Sequence, residues 1–409
     1  MAQLTVDIGG RPGLDCRGFC TYCYFKHAQE VPPFGCRYCL PFTKGCEYCT
    51  RSVQERYTGF KDLKEVAGDT LANLQLLSGD LTRITISGGG DPSCYPEFTD
   101  LIELLASLEA PLHIGYTSGK GFDDPAIADF LISSGLTEIS FTVFAADPEL
   151  RRRYMHDPTP ETSLEIIKRL AGAIDVYAAL VILPGINDGV VLTNTIRWLE
   201  DVGAKGVILM RFANTTVQGL ILNNAPIIEQ QRTQTVEEFA DLVRQTKAIT
   251  TMRISGTPLC DPDLGSPFAI LEEPELQELL PRIHRRAAII TGTVAEPAIR
   301  AILTKKGDNT EVIPVQKEIA DLITIEDLKA LDLSLLPSTI VIPGRAFVHL
   351  AEAEEVLSAD GKMRTVLRGP EMLTADGETS MGMDRDSVLA LEMAGFSSLI
   401  NLINQYGEE

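Results

Sequence analysis

Short apolar runs alternate with longer amphipathic stretches between residues 83 and 246. Arg83–Ser87 is such a run and ends on Gly88, Gly89 and Gly90. Leu112–Thr117, Thr137–Phe144, Val176–Leu183 and Gly206–Arg211 repeat the type, and Pro184-Gly185 closes the fourth run. Between and after them, Leu101–Leu108, Pro125–Ser133, Ser163–Gly172, Leu192–Val202 and Val236–Thr246 read as helices. Strands too apolar to face water predict a parallel sheet covered by helices. Five or six β/α units in series curl into a full or partial barrel, with chemistry at the carboxyl ends of the strands.

The pattern resets near Pro281–Arg286. Strands are expected at Ala287–Thr291, Glu311–Val315, Thr339–Ile342 and Arg364–Leu367. Helices are expected at Ala298–Thr304, Ile325–Leu331 and Val388–Gln405. This is a second α/β domain of ordinary size. The expected division is therefore 1–33 with 51–281, a short loop at 34–50, and 282–409.

With 409 residues the chain is long enough for two domains and needs no staples to hold a core. The apolar fraction is 44%, that of a globular protein. A net charge of −21 repels nucleic acid and anionic membrane, so neither is expected as a partner. The start of the chain has no signal-peptide pattern, and no run of about 20 apolar residues stands out to span a bilayer. A cytoplasmic location is expected.

In that compartment the cysteines change the picture. Seven of the nine lie between Cys16 and Cys49, which reads as metal binding and not as a disulfide framework. Cys94 and Cys260 stand apart without an assigned role. Cys16, Cys20 and Cys23 have the spacing C-x3-C-x2-C. Three thiolates on one tight loop fill three corners of a 4Fe–4S cubane and leave one iron open, whereas a ferredoxin loop supplies a fourth cysteine. A zinc loop is the other alternative. The spacing, with Tyr22 before the last cysteine and β/α units downstream, resembles radical-SAM enzymes. There the open iron binds S-adenosylmethionine (SAM) and the cluster cleaves it to a 5′-deoxyadenosyl radical. The resemblance puts Tyr22 against the adenine and Gly88, Gly89, Gly90 and Asp91 beside the amino group. It puts Ser118 and Thr142 on SAM and makes Arg153 the carboxylate partner, Arg being suited to bidentate pairing.

Cys36, Cys39, Cys46 and Cys49 form two C-x2-C knuckles, read as a structural or substrate-docking tetrahedral four-sulfur site for iron or zinc, with a second cubane cluster as the alternative. The loop is poor in apolar residues, so metal is expected to fold it. A radical-SAM loop followed at once by rubredoxin-like knuckles, then Gly115-Tyr116-Thr117-Ser118-Gly119-Lys120-Gly121 and an acidic C-terminal α/β domain, resembles the methanogenesis marker protein 10 family. These are cobalamin-dependent radical-SAM methyltransferases that modify the delta carbon of an arginine in methyl-coenzyme M reductase.

The resemblance implies a radical-SAM partial (β/α) barrel, an inserted four-cysteine loop holding a mononuclear iron, and a cobalamin-binding C-terminal domain. It implies that Tyr116 ligates the open iron until SAM displaces it, and that a reductant protein is a partner. The chain has no D-x-H-x-x-G motif, so no histidine is expected beneath the cobalt; an apolar residue such as Leu322 is expected there instead. Asp157 and Asp188, near strand ends, are expected to pair the substrate guanidinium, with capping or turning the chain as their alternative role. Two further functions compete: a cobalamin-free radical-SAM peptide maturase with an auxiliary metal site, and a non-catalytic iron–sulfur electron carrier.

Overall fold

The computed structural model describes residues 2–28, 37–38 and 59–409. Cys36, Cys39, Cys46 and Cys49 lie outside the described residues. Two compact units emerge. One comprises Met1–His27, Tyr57–Phe212 and Ile227–Thr257. The other comprises Ala28–Arg56, Ala213–Pro226 and Pro258–Glu409.

The first unit is a seven-stranded parallel sheet in chain order: β1 (Ala2–Asp7), β2 (Leu81–Ser87), β3 (Leu112–Thr117), β4 (Leu136–Thr142), β5 (Asp175–Ile182), β6 (Gly206–Arg211) and β7 (Arg253–Thr257). Its pairs are parallel throughout, as in Val6↔Ile86 and Ala179↔Ile208. All carboxyl ends therefore lie along one edge. The connecting helices are α1 (Leu63–Leu76), α2 (Phe98–Ala106), α3 (Ile127–Ser133), α4 (Pro160–Ala171), α5 (Gly189–Val202) and α6 (Val236–Lys247). Several start or stop on local chemistry. Pro160 opens α4, a Thr235/Glu238 capping box opens α6, and Gly203 at φ 91° ends α5. Ile84, Ile86, Ile114, Phe141 and Leu180 are fully buried, as a sheet covered by helices requires.

The expected units are present, with further elements among the described residues, of which four are the longest or sit in a sheet. β1 alternates polar and apolar residues over only six positions. β7 is five residues long and contains Gly256. In α1 only Val66 and Thr70 are buried, while Leu71 and Leu76 face water, so the helix carries little periodic signal. α9, in the second unit, is the fourth.

Polar side chains are also buried on these strands, His113, Arg211 and Ser255 among them. His113 on β3 is held by Thr85 Oγ1 at 3.2 Å and Ser140 Oγ at 3.1 Å. Burial, with the Arg83 charge adding to it, pulls its pKa down to about 3. The folded chain thus keeps the ring neutral, while the unfolded chain takes up a proton near pH 6.5. Between these values the unfolded state binds more protons, so this contribution is complete above pH 6.5 and shrinks as pH falls. At about 1.4 kcal/mol per unit, roughly 2 kcal/mol is lost by pH 5. The urea midpoint is expected to fall between pH 7 and pH 5, and to fall less in His113→Gln. Equal falls in the two proteins contradict this.

The second unit has strands β8 (Ala287–Thr291), β9 (Thr310–Pro314), β10 (Thr339–Ile342) and β11 (Thr365–Arg368), all parallel, in the order β11-β10-β8-β9. Its helices include α7 (Glu296–Thr304), α8 (Ile325–Lys329), α9 (Leu350–Leu357) and α10 (Arg385–Tyr406). Alternate side chains feed two cores. Ile289 and Val341 join Ile299, Phe396 and Ile400 on one face; Ile290, Ile340 and Ile342 join Leu328, Ala353 and Leu357 on the other. The unit's last segment starts at Pro258, ahead of the expected 282, because Leu264, Phe268, Ala269, Ile270 and Leu280 pack into the first of these cores. The absence of a span-length apolar segment also needs amending. By length and composition α10 is able to cross a membrane. Phe396, Leu399, Ile400 and Ile403 are nevertheless buried in the unit's core, and Glu392 at its centre is fully buried, accepting from the amides of Ala269 and Ile270.

Candidate functional site

Cys16 ends a 3-10 turn at Leu14–Cys16 just beyond β1, and the chain then reverses through Arg17 (φ 52°) and Gly18 (φ 102°). These left-handed positions coil the loop tightly enough to turn its thiols together. Cys16 Sγ accepts from the Gly13 amide at 3.3 Å, and the Cys23 amide donates to the Cys20 carbonyl at 3.0 Å. The Thr21 amide ties the loop to the Tyr154 carbonyl at 2.7 Å. Burial, then the Asp91 charge, pushes the Cys16 thiol up to about 12; burial raises Cys20 and Cys23 as well. A bound soft metal would take the place of the thiol protons, thiolate being the ligand form. Among the described residues no three such side chains close on one ion-sized point. Three soft sulfurs on one loop suit an iron–sulfur cluster.

The glycine run behind the loop is a packing device. A Cβ on Gly88 would stand 2.4 Å from the Gly9 carbonyl oxygen, and one on Gly10 would stand 2.6 Å from the Gly90 nitrogen. The amides of Gly89 and Gly90 both donate to Gly9 O, at 2.8 and 3.1 Å. Their N–H groups are therefore spent holding β1 to β2. Asp91 is also occupied. Oδ1 accepts from the Ser93 amide (2.9 Å), Ser93 Oγ (2.7 Å) and Thr117 Oγ1 (2.6 Å); Oδ2 accepts from the Ser118 amide (2.7 Å) and from Ser118 Oγ. Asp91 and Ser118 thus join the end of β2 to the end of β3, and their side chains are not open to a ligand.

Tyr22 is 6% exposed and its ring stacks on Phe144 at 5.1 Å. One ring face is therefore covered, and the residue supports the loop from within instead of offering an open surface to adenine. Tyr116 is 37% exposed at the end of β3, on the same edge as the loop. Thr142 ends β4, and its carbonyl accepts from Arg151 at 3.0 Å.

Arg151, not Arg153, is the arginine aimed at the strand ends. It is fully buried. It donates to the carbonyls of Thr142, Val143 and Ser118 and pairs with Asp157 at 2.8 and 3.0 Å. Arg153 lies exposed on the π-helical turn Arg151–Met155, its guanidinium 5.5 Å over the Tyr154 ring. Asp157 is 1% exposed and committed to Arg151, so it orients that arginine and does not face a substrate. Asp188 precedes α5 and accepts from the Gly185 amide at 2.9 Å, bracing the turn after β5 while staying partly exposed. Two residues escaped the sequence reading. Arg211 is buried at the end of β6, where burial lowers its pKa and the Tyr24 phenol opposes that. Lys120 is buried against the cluster loop.

The second unit has a cavity of about 230 Å³ lined by Ile289, Ile290, Thr291, Asp321, Val341, Ile342, Gly344, Arg345 and Gly369. It sits at the carboxyl ends of β8 and β10, where the strand order reverses, the position at which open α/β sheets bind ligands. No histidine lines it. Its lining mixes apolar side chains with Asp321 and Arg345, and a Cβ on Gly344 would stand 2.4 Å from the Pro370 carbonyl oxygen. Leu322 is not in the wall. Its side chain lies over Gly219, where a Cβ would come within 2.5 Å of Leu322 Cδ1; its neighbour Asp321 lines the cavity, its pKa raised by burial.

Residues 11–193 match the radical SAM superfamily. No curated protein matches the chain. Among solved structures, Streptococcus suis SuiB bound to precursor peptide SuiA is similar at 12% identity and a TM-score of 0.41, covering 67% of this chain and 51% of that one. A radical SAM methyltransferase from Sphaerobacter thermophilus is similar at 16% identity and a TM-score of 0.37, covering 62% and 64%. Coproporphyrinogen III oxidase from Escherichia coli, a radical SAM enzyme, is similar at 14% identity and a TM-score of 0.38, covering 60% and 51%. The chain spans about half the length of SuiB.

Proposed function

Residues 11–193 carry a radical SAM superfamily domain, and from that premise we propose that the protein is a cobalamin-dependent radical-SAM methyltransferase acting on the delta carbon of an arginine in methyl-coenzyme M reductase. The observation that carries this reading is the combination, in one chain, of a three-thiol loop on one parallel sheet and a cavity at the strand-order reversal of another. A domain of this superfamily implies a 4Fe–4S cluster and SAM. When bound, cluster and cobalamin supply the electron that cleaves SAM and the methyl group that is transferred.

The chain's own residues hold, orient and shield. Cys16, Cys20 and Cys23 would hold the cluster, with Tyr116 the proposed ligand of its remaining iron. Thr142 lies on the edge where SAM is proposed to bind. Arg211 offers a buried carboxylate partner at the end of β6, a place the exposed Arg153 does not occupy. Asp188 keeps one oxygen for a guanidinium. Cys36, Cys39, Cys46 and Cys49 remain the proposed ligands of a mononuclear iron, and a protein reductant the proposed electron source. Arg37 and Tyr38, inside the first knuckle, reach Glu355 of the second unit, and Tyr38 stacks on His349 at 4.9 Å.

An anaerobic assay with SAM, a reductant and a peptide carrying that arginine tests the proposal. Cobalamin-loaded protein is expected to add one methyl group, and cobalamin-free protein none. SAM cleavage with no methylation under either condition favours the peptide-maturase reading.

A further inference from the structure

Lys120 is the one lysine of the glycine-rich segment after β3, and it is 1% exposed. A buried ammonium is costly unless every N–H is satisfied and its charge is matched. Its three donors have three partners: the Gly18 carbonyl at 2.7 Å, the Met155 carbonyl at 3.1 Å and Cys20 Sγ at 3.9 Å. Among the described residues no carboxylate comes within ion-pair distance of it. Asp91, the acid of this neighbourhood, is engaged by five donors from Ser93, Thr117 and Ser118. The two carbonyls satisfy hydrogen bonds but leave a positive charge uncompensated beside a cysteine sulfur.

We infer that Lys120 is a positioning residue whose fixed charge is matched by the thiolate-bound cluster, so that it favours the one-electron-reduced, more negative state. The inference rests on the cluster assigned to Cys16, Cys20 and Cys23. Its amino group also pins Gly18, at the turn of the loop, to Met155, at the end of the π-helical turn. Charge and tether therefore act at the same sulfur. An exposed lysine nearby does not act this way, because water screens it; Lys26, whose amide donates to the Cys23 carbonyl, is such a residue.

The test is a mediated redox titration of anaerobically reconstituted holoprotein, followed by the electron paramagnetic resonance of the reduced cluster. Wild type, Lys120→Met, Lys120→Gln and Lys26→Gln are compared, with iron and sulfide counted first. Wild type without a cubane signal overturns the cluster assignment itself, separately from this inference. With loading equal, the Lys120 variants are expected to show at least about a tenfold lower reduced-to-oxidised ratio at a fixed potential. For one electron that is a midpoint about 59 mV more negative. Lys26→Gln is expected to move it by much less. Lys120→Gln retains a donor for the carbonyls and is the variant to measure if Lys120→Met fails to load. A loaded Lys120 variant with the wild-type midpoint, or an equal shift in Lys26→Gln, overturns the inference.

Discussion

Cys20→Ala is expected to abolish the reduced-cluster resonance and to bring 5′-deoxyadenosine formation down to background, while the chain still folds. The cysteine sits in a loop whose backbone is fixed independently of its sulfur, by Gly18 N to Gly13 O at 3.1 Å and Thr21 N to Tyr154 O at 2.7 Å. Removing one small side chain leaves those bonds. It leaves two thiols, which hold a cubane far less well than three. The same change removes the sulfur that the Lys120 amino group donates to, so a loss of about 1–3 kcal/mol in stability accompanies the loss of chemistry. Cys94→Ala is the control. Cys94 lies outside the loop, with its thiol at 3.9 Å from Ser93 Oγ, and its loss is expected to keep the resonance. A Cys20→Ala protein with an intact resonance contradicts the ligand assignment.

Arg151→Met is expected to cost about 3–5 kcal/mol of folding stability, the range for breaking one side of a buried ion pair. Both side chains of the Arg151–Asp157 pair are fully buried, so neither partner regains water when the other is removed. The arginine also donates to three carbonyls at the ends of β3 and β4, and methionine removes those bonds, leaving Val143 only the Ala145 amide at 2.8 Å. The double replacement Arg151→Met with Asp157→Leu is expected to recover part of the loss, because it removes the stranded carboxylate. Urea unfolding monitored by circular dichroism checks both. A single variant within 1 kcal/mol of wild type contradicts the clamp.

The parallel α/β architecture was legible because its strands are apolar on both faces and its helices are bounded by Pro, Gly and capping boxes. Leu112–Thr117, Gly206–Arg211, Ala287–Thr291 and Thr339–Ile342 fall where the pattern puts them. β1 and β7 were not, since short edge strands with mixed polarity carry no strong period. The C-x3-C-x2-C spacing marks the cysteine loop, which the fold places just beyond β1. The distribution of roles around it was not legible. In Arg151-Arg152-Arg153 the sequence offers three equivalent cations, and only the fold decides that Arg151 turns inward while Arg152 pairs with Glu149 and Glu161. Asp91 likewise reads as a ligand beside a glycine run, yet the neighbouring hydroxyls of Ser93, Thr117 and Ser118 claim both of its oxygens. A lysine in a glycine-rich segment carries no sign that it is buried; Lys120 becomes visible only once β3 and the cluster loop are brought together.

The most direct measurement is anaerobic incubation of reconstituted, cobalamin-loaded protein with SAM, reductant and a peptide carrying the reductase arginine, read by mass spectrometry. A gain of one methyl group on the arginine carbon chain, with 5′-deoxyadenosine and S-adenosylhomocysteine formed alongside, is the predicted result. An unmodified peptide with neither product contradicts the account.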